Sequence, residues 1–190
     1  MNTRSLVRTW DILPDRGHAT AWVRLTEGGL TARGRAVGLD PEPYWVTYAL
    51  ETADDYVTSR LLVTVETADA TRTLDLRHAA GRWSADGSHR PDLDGALDCD
   101  LGLCPLTNTM PVLRHGLHLR PARPAHRFLM AWVSVPGLEV SASHQTYTPL
   151  ETQGRAAVVR YESDGFRSDI TFDDNGLVLD YPHLATTPTR

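Results

Sequence analysis

A chain of 190 residues with a net charge of −5 and a pI near 5.9 is long enough to bury a real core in one domain. Its acidity argues against a general affinity for nucleic acid or anionic membrane surfaces. The opening residues lack the apolar run of an export signal, and no stretch approaches the roughly 20 apolar residues of a membrane helix, so a cytoplasmic location is the expectation.

Along the chain, apolar residues recur mostly at every second position, which places them on one side of a strand. Tyr44, Val46, Tyr48 and Leu50 form the first clear row. Val57, Leu61, Val63 and Val65 form the next, and Leu74 and Leu76 a third. Later come Phe128, Met130 and Trp132, then Val159 and Tyr161, then Ile170 and Phe172. Between the rows stand hairpin turns: Glu27-Gly28-Gly29, Ala80-Gly81, Asp86-Gly87, Asp164-Gly165 and Asp173-Asp174-Asn175-Gly176. No stretch has a sustained helical period; short helical turns fit only within residues 39–43 or 100–108. The tail from Ala185 to Arg190 is expected to fray. The prediction is an all-β, single-domain antiparallel sheet of about ten to twelve strands in meander order, curled into a roll or open barrel. So large a sheet must curl or expose long edges, and eight or more strands leave room for a ligand. An exposed edge strand also offers a surface for a homodimer.

The segment from Leu97 to Arg120 breaks this rhythm. Its Leu, Cys, Met and Pro content argues against disorder, so it is expected to pack on the fold and present polar groups from fixed backbone. Asp98 and Asp100, two apart in an extended run, point the same way; such carboxylates hold a cation, share a proton, or accept from sugar hydroxyls. Asn108 adds an amide, flanked by Thr107 and Thr109, which suit loop hydrogen bonding. Arg114 offers a planar fork for a carboxylate or phosphate. The competing assignment pairs Arg114 with one aspartate and uses the other to cap a turn. No acidic residue lies between Asp100 and Glu139, a stretch holding Arg114, Arg120, Arg123 and Arg127, whereas Asp86, Asp92, Asp94, Asp98 and Asp100 crowd upstream. These blocks either pair with each other or leave a basic wall for an anionic headgroup.

His115 and His118, with Cys99 and Cys104, lack the spacing of a zinc motif, and no cofactor fingerprint occurs. The cysteines are expected reduced; either becomes a nucleophile only with a base such as His144. Trp10, Trp22, Trp45, Trp83 and Trp132 are read chiefly as core, with stacking on a sugar ring or lining of an acyl channel as the other use.

The run Asp98-Cys99-Asp100-Leu101-Gly102, followed by Pro105, Thr107-Asn108-Thr109, Pro111 and Arg114, resembles the signature of the bacterial putative glycolipid-binding family. Tyr161, Gly165-Phe166, Gly176-Leu177-Val178 and Tyr181-Pro182 resemble that family's C-terminal end, and Trp22, Gly34 and Tyr48 fit its early strands. The resemblance implies a spiral β-roll, similar to the curled sheets of bacterial lipoprotein carriers, with a glycolipid or other amphiphile as ligand. On this expectation the acyl part lies against Leu61, Val63, Met130 and Trp132, and the head meets Asp98, Asp100, Asn108 and Arg114. The rival is a small enzyme in which Asp98 or Asp100 works with His115 or His144 as an acid–base pair on a polar small molecule.

Overall fold

A computed structural model of the chain describes residues 3–14, 16–119, 124–150 and 156–188. One sheet of fifteen strands dominates it, and the sheet does not close into a barrel. The first half runs as a meander: β1 (Arg4–Ile12), β2 (Gly17–Thr26), β3 (Gly29–Gly38), β4 (Tyr44–Thr52), β5 (Thr58–Thr67), β6 (Thr71–Ala79), β7 (Arg82–Ala85) and β8 (Ser88–His89). After β9 (Asp98–Leu101) comes the helical segment, a 3-10 turn (Pro105–Asn108) running into α1 (Thr109–His115). The second half comprises β10 (His126–Val133), β11 (Val140–Pro149), β12 (Ala157–Ser163), β13 (Phe166–Phe172), β14 (Val178–Tyr181) and β15 (Ala185–Thr186). The spatial order runs from β8 back to β1, crosses to β15, and continues back to β9.

The turns follow from the residues identified above. Ala80-Gly81, Asp86-Gly87 and Asp164-Gly165 all take positive φ at both positions, the geometry whose twist matches that of the flanking strands. Apolar alternation then sets the register. Tyr44, Val46, Tyr48 and Leu50 are buried, as are Leu61, Val63 and Val65 and then Leu74 and Leu76. The row assigned to β5 starts one residue late: Thr58 rather than Val57 is buried, because a register shift at Glu51/Thr52 reverses the parity there.

Four expectations need correction. Among the described residues the strand count is fifteen rather than ten to twelve, since short strands such as β8 and β15 carry no apolar period of their own. Not all pairs are antiparallel: β9 runs parallel to β10, the helical segment supplying the crossover. Residues 39–43 form a bend, and the helix sits at 105–115, past most of the interval expected; Gly116 (φ 59) ends it by donating its N–H to the carbonyls of Val112 and Leu113. Finally, Ala185 and Thr186 do not fray. They pair with Ile12 and Asp11 on one side and with Tyr181 and Asp180 on the other, joining the two halves of the sheet. Arg190 lies outside the described residues.

The sheet bends back on itself. Thr58 N–H, at the start of β5, donates to Leu97 O at 3.0 Å, and Cys99 N–H donates to Thr58 Oγ1 at 3.1 Å. The free side of β9 is therefore held against the opposite half. Cys99 and Leu101 lie on one, buried face of β9, beside Ala131 and Val133, while buried Asp98 and half-buried Asp100 share the other with Met130 and Trp132. Trp10 and Trp83 are core, their indole N–H groups donating to Val178 O and Ala96 O, both at 2.9 Å. Trp22 and Trp45 are not core; both project from the outer face, because they occupy the outward parity of β2 and β4.

Candidate functional site

The irregular segment delivers its polar side chains to two separate places. Asp98 and Arg114 meet in an ion pair that is almost entirely buried, with the Asp98 carboxylate accepting from both Nη1 and Nη2. Arg114 Nε donates to Asp55 O at 2.9 Å and Nη2 also to Tyr56 O at 3.1 Å, which leaves a single guanidinium N–H uncommitted. Burial pushes the Asp98 carboxyl up and the Arg114 fork pulls it back; the bidentate geometry calls for the ionised form. Arg114 thus staples α1 to the turn at 54–56. Asp98 is the partner that the competing assignment gave to Arg114, and all but one of the guanidinium N–H groups are engaged within the protein.

Among the described residues the blocks of opposite charge otherwise do not pair. Asp92 binds Arg90 within its own block, and Asp94 lies 3.4 Å from His89. Arg120 and Arg123 lie outside the described residues.

Asp100 and Asn108 form the second group. Thr107 Oγ1 donates to Asp100 Oδ1 at 2.8 Å and accepts from Leu101 N–H, so it closes the turn as expected of it. Gln145 Nε2 donates to Asp100 Oδ2 at 2.6 Å. Tyr147 Oη donates to Gln145 Oε1 and accepts from Asn108 Nδ2 at 2.8 Å. One chain of hydrogen bonds therefore runs from Asn108 through Tyr147 and Gln145 to Asp100. Burial raises the Asp100 carboxyl above its ordinary value, while the Gln145 and Thr107 donors oppose the rise. Burial also holds Tyr147 well above the ordinary phenol range, so its hydroxyl stays protonated and able to donate.

Asp100 and Asn108 stand at the wall of an open cleft of about 660 Å³. Its apolar surfaces include Trp132, Tyr161, Phe166 and Tyr181, and its polar ones Ser141, Ser143, Ser163 and Asp164. The aromatic side chains continue inward, Tyr161 meeting Tyr147 edge-on at 5.4 Å and Tyr147 meeting Phe128 at 5.5 Å. Leu103, Val135 and Leu184 form an apolar threshold on another side. Beside it a crevice of only about 20 Å³ is lined by Ile12, Ala36, Tyr44 and Val46. Leu103 sits at φ 58, a conformation a branched side chain rarely takes. Sequence reading missed Gln145, Tyr147 and the whole β12–β13 wall. The signal was there in Ser141 and Ser143, small polar residues recurring at every second position of a strand.

The proposed acyl-lining residues fare differently from one another. Leu61, Val63 and Met130 are packed solid in the core, and Trp132 lines the cleft. Of the acid–base partners considered, His144 projects to the face opposite Gln145, and the His115 ring lies tilted against His126 at 4.7 Å. Neither hydrogen-bonds Asp98 or Asp100 among the described residues. Both cysteines are free and buried, and burial pushes Cys104 up to about 11 and Cys99 higher still, so neither is a thiolate at neutral pH. Among the described residues no cluster of His, Cys, Asp or Glu has the arrangement of a metal site, and no helix is long and apolar enough to cross a membrane.

Solved structures that match this architecture include the following two. A DUF1089-family protein from Pseudomonas aeruginosa is similar over 88% of this chain and 91% of its own, with a TM-score of 0.73 and 29% identity. A β-barrel-like protein of domain DUF1849 from Brucella abortus shares the fold at a TM-score of 0.52 over 97% of this chain and 95% of its own, with 9% identity. No curated protein matches. The model of the family described as Putative glycolipid-binding matches residues 7–187, and it covers the helical segment, the cleft walls and both halves of the sheet. The chain belongs to that putative glycolipid-binding family.

Proposed function

We propose that the protein binds a glycolipid by its carbohydrate head, seated in the 660 Å³ cleft. The observation that carries this reading is the meeting, at one opening, of ring faces with fixed polar groups. Trp132 and Phe166, backed by the buried rings of Tyr161 and Tyr181, offer surfaces on which the C–H face of a sugar stacks, and Asp100, Asn108 and the serines offer partners for its hydroxyls. Because Asp100 and Asn108 are held by Gln145, Thr107 and Tyr147, little ordering is needed when the ligand arrives. Family membership supports the same ligand class. We read the curled open sheet as a spiral β-roll with this cleft on its inner side.

The acyl chain takes a different route from the one expected of Leu61, Val63 and Met130. It leaves the cleft over Leu103, Val135 and Leu184 toward the crevice, whose 20 Å³ is room for about one water. Seating a chain there requires Leu103 to move, and its left-handed backbone is the strained point at which that motion starts.

The test is a titration with alkyl glucosides of increasing chain length, read by native mass spectrometry and tryptophan emission. Sugar and chain together should bind better than free glucose or the matching fatty alcohol. Trp132→Ala should weaken binding about tenfold, the stacking contribution of one ring, while far-UV circular dichroism shows the fold retained. Equal affinity in Trp132→Ala, or no binding of any glucoside, overturns the reading.

A further inference from the structure

The outer face of β2–β4 carries a second feature, on the opposite side of the sheet from the core. Arg33 and Arg35 are successive outward residues of β3, and Arg24 is outward on β2. Trp22 pairs directly with Arg33, and on the other side of β3 Trp45 pairs with Val37, one outward position beyond Arg35. The two rings are 66% and 64% exposed, far more than a tryptophan needs for folding. Each also sits beside an exposed valine, Val7 across from Trp22 (62%) and Val37 across from Trp45 (43%). The arginine pair is thus bracketed by two aromatic–aliphatic pairs. None of these three arginines makes an ion pair among the described residues; Glu51 is an outward residue of β4, and Glu66 on β5 pairs directly with Trp45.

We propose that this face docks onto an anionic lipid bilayer, with Arg33 and Arg35 on lipid phosphates and Trp22 and Trp45 at the level of the headgroups. Tryptophan and arginine are the side chains suited to that boundary, one end apolar and the other wet. The exposed valines decide against nucleic acid as the partner: bases stack on rings, whereas an aliphatic side chain gains by entering a bilayer. The net charge of −5 is no obstacle. Glu27, Asp40, Glu42, Asp54, Asp55 and Asp69 lie in the turns between strands; on the outer side stand Glu51 and Glu66, and Asp11, which is engaged by His18. At physiological salt, charges more than about 8 Å away are largely screened. This proposal is independent of the glycolipid reading, although a docked protein would be placed where such ligands are found.

Sedimentation with phosphatidylcholine vesicles, with and without phosphatidylserine, tests it. Neither lipid carries a sugar, so failure of the cleft reading leaves the experiment intact. The wild type should sediment only with the phosphatidylserine vesicles and be released by added salt, with a blue shift of tryptophan emission. Replacing both arginines (R33Q with R35Q) should weaken sedimentation about thirtyfold, and Trp22→Ala should reduce both binding and the blue shift. All three side chains are exposed, so a thermal melt should be unchanged. Absence of sedimentation, or sedimentation indifferent to the arginine variant, overturns the proposal. So does arginine-dependent binding of a single-stranded oligonucleotide without vesicle binding.

Discussion

Asp100 is a carboxylate held by two donors inside a buried pocket wall, and its protonation reports on that burial. Burial raises its folded-state value above the ordinary 3.8, so the folded protein holds this proton over a range in which the unfolded chain releases it. The resulting stabilisation is fully present below 3.8 and is lost as pH rises through the folded-state value. Asp100→Asn removes the titration. The difference in unfolding free energy between wild type and variant should therefore favour the wild type most in acid and shrink toward neutrality. Urea melts across an acidic pH series measure it, and a difference that grows with pH would mean that the hydrogen bonds from Gln145 and Thr107 outweigh burial. The subtraction matters, since Asp75, Asp92 and Asp169 are lowered by arginine partners and tilt the whole curve the other way.

At the scale of the element, β3 and β4 are joined by two glycine–tyrosine cross-strand pairs, Gly34 with Tyr48 and Gly38 with Tyr44. Each ring lies directly over the glycine opposite: a Cβ built on Gly34 would stand 2.1 Å from the Tyr48 ring. The glycine here is required by space rather than by backbone angle. Gly34→Ala should cost about 1–3 kcal/mol by forcing Tyr48 out of place, measured by chemical unfolding. A second substitution, Tyr48→Leu, should relieve much of that loss, and an unaffected Gly34→Ala would show that the ring moves freely. Gly34 and Tyr48 were legible in the sequence as features of the early strands, though their pairing was not. Alternation says which way each residue points, but only the turn at 39–43 sets the register that brings these two together.

Across the whole molecule, the bend of the sheet depends on a small set of contacts between distant segments. Thr58 is the clearest: its hydroxyl accepts from Cys99 N–H and donates to Cys99 Sγ, while its own N–H reaches Leu97 O. Thr58→Val keeps the shape and removes the hydroxyl, leaving the buried Cys99 N–H without a partner. It should destabilise the fold by about 1–3 kcal/mol in urea melts. The same variant should speed reaction of Cys99 with a thiol reagent, which the wild type resists. If Cys99 remains as slow to react, β9 is held by its side chains alone.

Much of this protein follows from local residue order. Strand parity apart from the start of β5, the glycine-bearing turns and the irregular segment after Leu97 were legible, because each rests on side chains within a few positions of one another. Even the closeness of Asp98, Asp100, Asn108 and Arg114 was readable as a segment. Tertiary structure alone decided how they divide. Asp98 and Arg114 are joined because α1 folds back over the turn at 54–56, and Asp100 and Asn108 belong to the cleft because Gln145 and Tyr147 arrive from β11. The partner that completes each group lies some forty to sixty positions away in the chain. Such a distance is fixed by how the sheet curls, which no local pattern encodes. The same holds for Trp22 and Trp45: their residue type suggested core, and the outward parity of β2 and β4 placed them in solvent.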